Sequence, residues 1–230
     1  MKISLLYVIT LTGIISLSGC TLAHRPTAEE RHPRVDVGVL PGKGDAFLYD
    51  VRVERDGRKN SARLDVYRQG DSLGIFARGY LGKGVLKGLV IPDSITIYFP
   101  TENEFYQGSI ANLLKSNCPD SAIFEKYLIE LFARIPSEIE PSFSDFYLTI
   151  LKETNRDRDY RLESKDCQES IELKYELREG RFVLEKLNYR TPDDSFRFQA
   201  TRRQHRLNIV LPVDKFSVPI PESATRILAQ

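Results

Sequence analysis

Apolar residues recur at every second position along most of this chain, and that alternation limits the fold more than any other feature. From Asp45 onward, Phe47, Tyr49, Val51 and Val53 alternate with polar neighbours, and Ala62, Leu64 and Val66 do so again after Asp56-Gly57. Leu73, Ile75 and Ala77 follow Gly70-Asp71, and Leu89 to Ile91 is separated from Ile95, Ile97 and Phe99 by Pro92-Asp93. Period two with one apolar face is the pattern of half-buried antiparallel strands, and short Gly- and Asp-containing breaks make hairpins of them. The pattern returns after Pro141 with Phe146, Leu148 and Ile150, then Tyr160 and Leu162, then Ile171, Leu173, Tyr175 and Leu177. Beyond the Glu179-Gly180 turn come Val183, Leu187 and Tyr189, Phe196 and Phe198, and Leu207, Ile209 and Leu211. These runs predict a mainly β chain of about ten or eleven strands. Val213 to Pro221 reads as extended, with prolines suited to a sheet edge.

One stretch changes period. Ser109 can cap a short helix through Lys115, and Asp120 or Ser121 a longer one to about Arg134. Along it Ile123, Phe124, Tyr127, Leu128, Leu131, Phe132 and Ile135 recur at helical spacing, with Glu125, Lys126 and Glu130 opposite. Pro136 ends it, because the residue before a proline is driven out of the helical region. An amphipathic helix inserted between two blocks of strands is the natural cover for the apolar face of one curled sheet. No stretch after residue 45 is a linker long enough to separate two cores, so residues 45–230 are expected to form a single domain.

The inner face so derived carries Phe47, Tyr49, Val51, Leu64, Val66, Ile75, Ile97, Phe146, Leu148, Leu173, Tyr175 and Phe198, with Phe124 and Leu128 facing it from the helix. This surface exceeds what one helix fills, which leaves two readings open: a dry core, or a cavity lined by these residues. The outer face is rich in Arg, Lys, Glu and Asp and so faces water; a membrane-spanning barrel would show the reverse.

The N-terminus locates the chain. Met1-Lys2 precedes an apolar run from Ile3 to Leu17, and Leu17-Ser18-Gly19-Cys20 follows. A positive start, a short apolar segment and small residues before a cut site describe a secretory signal over residues 1–19. The tetrapeptide resembles the lipobox of bacterial lipoprotein precursors, which implies lipidation and cleavage at Cys20. Residues 20–44, with His24, Pro26 and Pro33 and little apolar periodicity, then form a lipidated tether. Thr21 stands where an Asp often means inner-membrane retention, so the periplasmic face of the outer membrane is expected. An anchor of two or three acyl chains holds a protein on a membrane without a basic patch.

Charge agrees with this. The chain has 33 Lys+Arg against 32 Asp+Glu, and removing residues 1–19 takes Lys2 and leaves the rest neutral. Without segregated basic charge, counterion release cannot drive nucleic-acid binding. Of the three cysteines, lipidation consumes Cys20 and leaves Cys118 and Cys167 in an oxidising compartment. A disulfide is favoured over two buried thiols because both lie beside polar or turn-forming residues. Closing that loop would contribute about 4 kcal/mol through the unfolded state.

Three stretches carry a family resemblance: Gly79-Tyr80-Leu81-Gly82 leading to Val90-Ile91-Pro92-Asp93-Ser94-Ile95, the run Glu104-Phe105-Tyr106-Gln107-Gly108-Ser109, and a helix before the second block of strands. With the lipobox, their order resembles a family of bacterial lipoproteins similar in plan to the LolA/LolB lipoprotein carrier and receptor. The resemblance covers roughly residues 45 to 220. It implies an unclosed antiparallel barrel of about eleven strands, with helices plugging an apolar cavity that holds acyl chains of a lipid or lipoprotein. It also implies a membrane-touching loop over Leu81 to Leu89, with Leu81, Val85 and Leu86 as contact residues and Leu86 at the tip.

Other chemistry fails on its own terms. Gly82-Lys83-Gly84 lacks the Ser or Thr and the strand-to-helix junction of a phosphate loop. His24, His32 and His205 have no metal-ligand spacing. Asp193-Asp194 and Asp157/Asp159 read as solvated turn acids, and Arg202-Arg203-Gln204-His205-Arg206 as a basic turn. The expectation is therefore a non-enzymatic lipoprotein without cofactor or metal, binding acyl chains in an apolar cavity. The alternative is a structural or adaptor lipoprotein of an envelope complex, with a filled core and a protein partner.

Overall fold

The computed structural model describes residues 34–36, 42–79, 82–92, 94–109, 128–139, 146–165, 169–191 and 193–227. Cys20, Cys118, Cys167, Leu81 and Phe124, together with the signal segment and most of the tether, lie outside them.

The strands are β1 (Arg34–Asp36), β2 (Gly42–Arg55), β3 (Arg58–Gln69), β4 (Ser72–Arg78), β5 (Gly84–Ile91), β6 (Ser94–Phe99) and β7 (Glu104–Gly108). After the insertion come β8 (Phe146–Glu153), β9 (Asp157–Ser164), β10 (Ser170–Arg178), β11 (Arg181–Arg190), β12 (Phe196–Leu211), β13 (Ser217–Pro219) and β14 (Thr225–Arg226). Twelve of them form one sheet in the order β14-β7-β6-β5-β4-β3-β2-β12-β11-β10-β9-β8. All its pairings are antiparallel except that of β14 with β7. The first meander runs outward from β2 and the second runs back to it, so β2 and β12, the two longest strands, meet as the spine. The edges, β14 against β7 on one side and β8 on the other, do not pair with each other; the sheet is open and, but for β14, antiparallel.

Local chemistry accounts for the hairpins. Asp56 and Gly57 have φ of 47° and 76°, and Glu179 and Gly180 have 49° and 81°. Two successive positive φ values make the tight turn whose twist suits paired strands, and glycine at the second position adopts it without strain.

The two faces of the sheet are both used. Directly opposed residues share a face, so Phe47, Val66, Ile75, Ile97 and Tyr106 form one inward row, and Tyr160, Leu173, Leu187, Ala200 and Val51 another. All but Ile75, which is half-buried and packs against it, are buried in the main apolar core. A second, smaller core lies on the opposite face, where Ala46, Leu89 and Leu211 meet Phe216, Val218 and Ile220. The outer face, expected to be polar and to face water, is thus covered in part by a second core. Val213 to Pro221 is not extended throughout: Val213–Phe216 is a 3-10 turn against β4, and β13 pairs with β1 in a separate two-stranded sheet and lies against β5 and β6. Gly74 permits this, since a Cβ there would lie 1.9 Å from the Lys215 carbonyl oxygen.

Three further expectations change. Residues 202–206 are not a turn but the middle of β12, carried there by shifts in register after Arg202 and Arg206. Asp157 opens β9 and Asp159 lies within it, whereas Asp193 and Asp194 do sit in a turn. The described helix covers 128–131, and the backbone unwinds through Arg134 to a 3-10 turn at Pro136–Glu138, so it ends before Arg134.

Candidate functional site

β7 and β8 lie toward opposite ends of the sheet order, and one connection joins them. Its described part, 128–139, docks on the inward face through three contacts. Phe132 packs against both Phe47 and Tyr49, tilted to the first and edge-on to the second, with ring centroids 5.9 and 6.0 Å away. The Tyr175 hydroxyl donates to the Leu131 carbonyl at 3.0 Å. The Ser137 and Tyr160 hydroxyls share a hydrogen bond of 2.9 Å. Helix ends leave carbonyls without intrahelical donors, and Tyr175 supplies one of those missing donors from the floor of the sheet.

Tyr49, Tyr160 and Tyr175 are each 1% exposed. Burial pushes all three phenols above their ordinary values, so they stay neutral donors. Tyr49 donates to the Leu184 carbonyl at 3.0 Å. That carbonyl also accepts from Arg202, 3.2 Å away, and Arg202 bonds the Val183 carbonyl as well and pairs with Glu176 at 3.0 Å. Arg202 stands opposite Tyr49 in the ladder and its side chain is 5% exposed, so it is an inward charge whose partners are all supplied by the sheet. Its signal was in the sequence: Phe198, Ala200 and Arg202 are spaced by two.

The residues expected to line a cavity separate into three groups. Phe47, Tyr49, Val51, Val66, Ile97, Leu173 and Tyr175 are buried in the main core. Leu64, Ile75, Leu128, Phe146 and Phe198 are half-buried and pack against it. Leu148 shares their face, opposite Leu162, but it is 37% exposed because β8 is the last strand of the sheet. The membrane-loop expectation is corrected for Val85 and Leu86: the chain enters β5 at Gly84, and Leu86 pairs with Ala77 and packs on the core, so it is no tip.

A polar pocket of about 370 Å³ lies elsewhere, lined by Lys43, Gly44, Asp45, Arg68, Gly70, Glu179, Arg181, Leu207 and Asn208. Its anchor is Asp45, whose side chain is 3% exposed. Arg68 reaches it at 3.0 Å, the Asn208 backbone N–H donates to it at 3.0 Å, and Arg181 completes the pair. Burial raises the carboxyl, but the bonds from Arg181, Asn208 and Arg68 outweigh it and hold Asp45 below its ordinary value. No cluster of three or more His, Cys, Asp or Glu suited to a metal occurs among the described residues. No helix among them is long and apolar enough to cross a membrane.

The sequence matches no protein-family model and no curated protein. Among solved structures it is similar to a DUF1329 family protein from Desulfovibrio piger, with 11% identity and a TM-score of 0.47 over 76% of this chain and 90% of that one. It is also similar to a Vibrio parahaemolyticus domain described as an outer membrane lipoprotein-sorting protein, with 9% identity and a TM-score of 0.44 over 75% and 88%. A third is the MucA/MucB complex of Pseudomonas aeruginosa, at 10% identity and a TM-score of 0.40, covering 76% of this chain and 55% of that one.

Proposed function

We propose that this chain is a lipid-anchored, non-enzymatic envelope protein whose inward apolar face holds an acyl chain of a lipid or lipoprotein. One observation carries this reading: around the docked segment 128–139, Leu64, Ile75 and Leu86 on one wing and Phe146 and Phe198 on the other remain half-buried and packed on the core. Such side chains bind hydrocarbon without any positioned polar group, and each methylene buried contributes about 0.8 kcal/mol. Arg202 already has Glu176 and two carbonyls as partners, so recognition rests on apolar contact and not on a headgroup charge.

The expected anchor at Cys20 sets such a face beside a bilayer that supplies the ligand. Titration of the purified protein with a fluorescent fatty acid, displaced by palmitate, tests the reading. Saturable binding weakened by Leu64→Lys and Ile75→Lys is expected; no binding by the folded protein contradicts it. Phe132, packed on Phe47 and Tyr49 within the face, favours the second reading of an adaptor with a filled core. Under that reading the fatty acid does not bind, and in-cell crosslinking captures one envelope protein in stoichiometric yield.

A further inference from the structure

Along β2, Lys43, Asp45 and Phe47 are spaced by two, and Arg68 stands opposite Asp45 as Val66 stands opposite Phe47. The inward apolar row therefore ends in charge. At that end sits the polar pocket of about 370 Å³, and the contacts that hold Asp45 leave much of its donor capacity unused. Arg68 gives Nε and Nη2 to one oxygen of the Asp45 carboxylate, while the Asn208 N–H and Arg181 are directed at the other. Asp45 is saturated. The remaining guanidinium nitrogens of Arg68 and Arg181 have no partner among the described residues, and neither has the ammonium of Lys43.

The charges fall into a floor and a rim. At the floor, the guanidinium groups of Arg68 and Arg181 face the single carboxylate of Asp45, which leaves an excess of positive charge beside a buried anchor. At the rim, Lys43 and Glu179 are exposed and of opposite sign. Because Asp45 fixes both guanidinium forks in advance, an anion entering the pocket has few side chains left to order. Guanidinium forks match paired phosphate oxygens, and an ammonium serves as a point charge for a further one. The volume is that of a small-molecule site and leaves space for the group to which a phosphate is attached. Glu179 repels further negative charge at the rim.

We propose that this pocket binds a phosphate ester through Arg68, Arg181 and Lys43. A soluble phosphate ester and a lipid headgroup both carry this chemistry, and the test separates them. It is calorimetric titration of the purified full chain, in low-salt buffer free of phosphate, with glycerol 3-phosphate and with dihexanoyl phosphatidic acid below its micelle concentration. Glycerol 3-phosphate has no acyl chain, so its binding stands or falls apart from that of the apolar face. Saturable binding is expected, weakened about threefold by Lys43→Gln and tightened about threefold by Glu179→Gln, the size of one partly screened charge pair. Both positions are exposed and make no ion pair among the described residues, so the variants keep the fold. Equal affinity for the two probes assigns a soluble phosphate ester; an affinity at least tenfold higher for the phosphatidic acid, with the same shifts in the two variants, assigns a lipid headgroup. No saturable binding of either probe to the folded chain, or binding that neither variant changes, overturns the proposal.

Discussion

The hydroxyl of Tyr175, on β10, donates to the carbonyl of Leu131, the last helical residue of the inserted segment, at 3.0 Å, and both residues are 1% exposed. A buried strand thereby caps the end of the helix that lies on it. The bond holds the end of the helix on the apolar face, and Phe132, the next residue, packs there against Phe47 and Tyr49.

Tyr175→Phe keeps the ring and removes the donor, leaving the Leu131 carbonyl buried and unpaired. Unfolding in urea is expected to show a loss of about 1–3 kcal/mol. Hydrogen exchange should rise in 128–139 more than in β2 and β12; a uniform rise would deny Tyr175 this local role.

Asp45 joins the start of β2 to the end of β3, the start of β11 and the register break in β12. Because its folded-state value is depressed, the stability it contributes is complete above the ordinary carboxylate value. That stability is lost as pH falls through the lowered one. Asp45→Asn is expected to cost about 2–4 kcal/mol at neutral pH, since it strands Arg68 and Arg181, though their partial exposure moderates the loss. The variant should also lose part of the wild type's acid sensitivity below about pH 4, measured as the urea midpoint against pH. An unchanged acid limb would assign that sensitivity to other carboxylates.

Gly74→Ala sets a methyl group against the Lys215 carbonyl, and both partners are backbone. A loss of about 1–3 kcal/mol is expected, with cleavage by a nonspecific protease concentrated after Leu211, because the segment covering the second core must lift. Unaltered proteolysis would show that the strand yields instead.

The inward face was readable from the sequence because period two is a direct record of which side each side chain takes. Phe47, Tyr49, Val51, Leu173 and Tyr175 all lie where alternation puts them. What alternation does not carry is the identity of neighbours. Arg202 to Arg206 looks like a turn because charged runs are usually solvated; here Arg202 is satisfied by Glu176 and by the Val183 and Leu184 carbonyls, and Arg203 pairs with Asp50 across the β2 ladder. Val213 to Pro221 reads as extended, yet Val213–Phe216 closes into a 3-10 turn, and its cover of the far face depends on the empty space at Gly74, a contact between residues far apart in sequence. Leu86 was placed at a loop tip by position alone, although its pairing with Ala77 makes it a strand residue.

The chain contains no tryptophan, so one introduced indole reports on one place. Phe198→Trp puts it on the inward face with an aromatic ring conserved, and Arg52→Trp puts it on the opposite face of the same ladder, beside Gln199. The measurement that bears most directly on acyl-chain binding is quenching of each by a spin-labelled fatty acid below its micelle concentration. Saturable quenching of Phe198→Trp, reversed by palmitate, with Arg52→Trp unaffected, is the predicted result. Equal or absent quenching at the two positions in folded protein would contradict it.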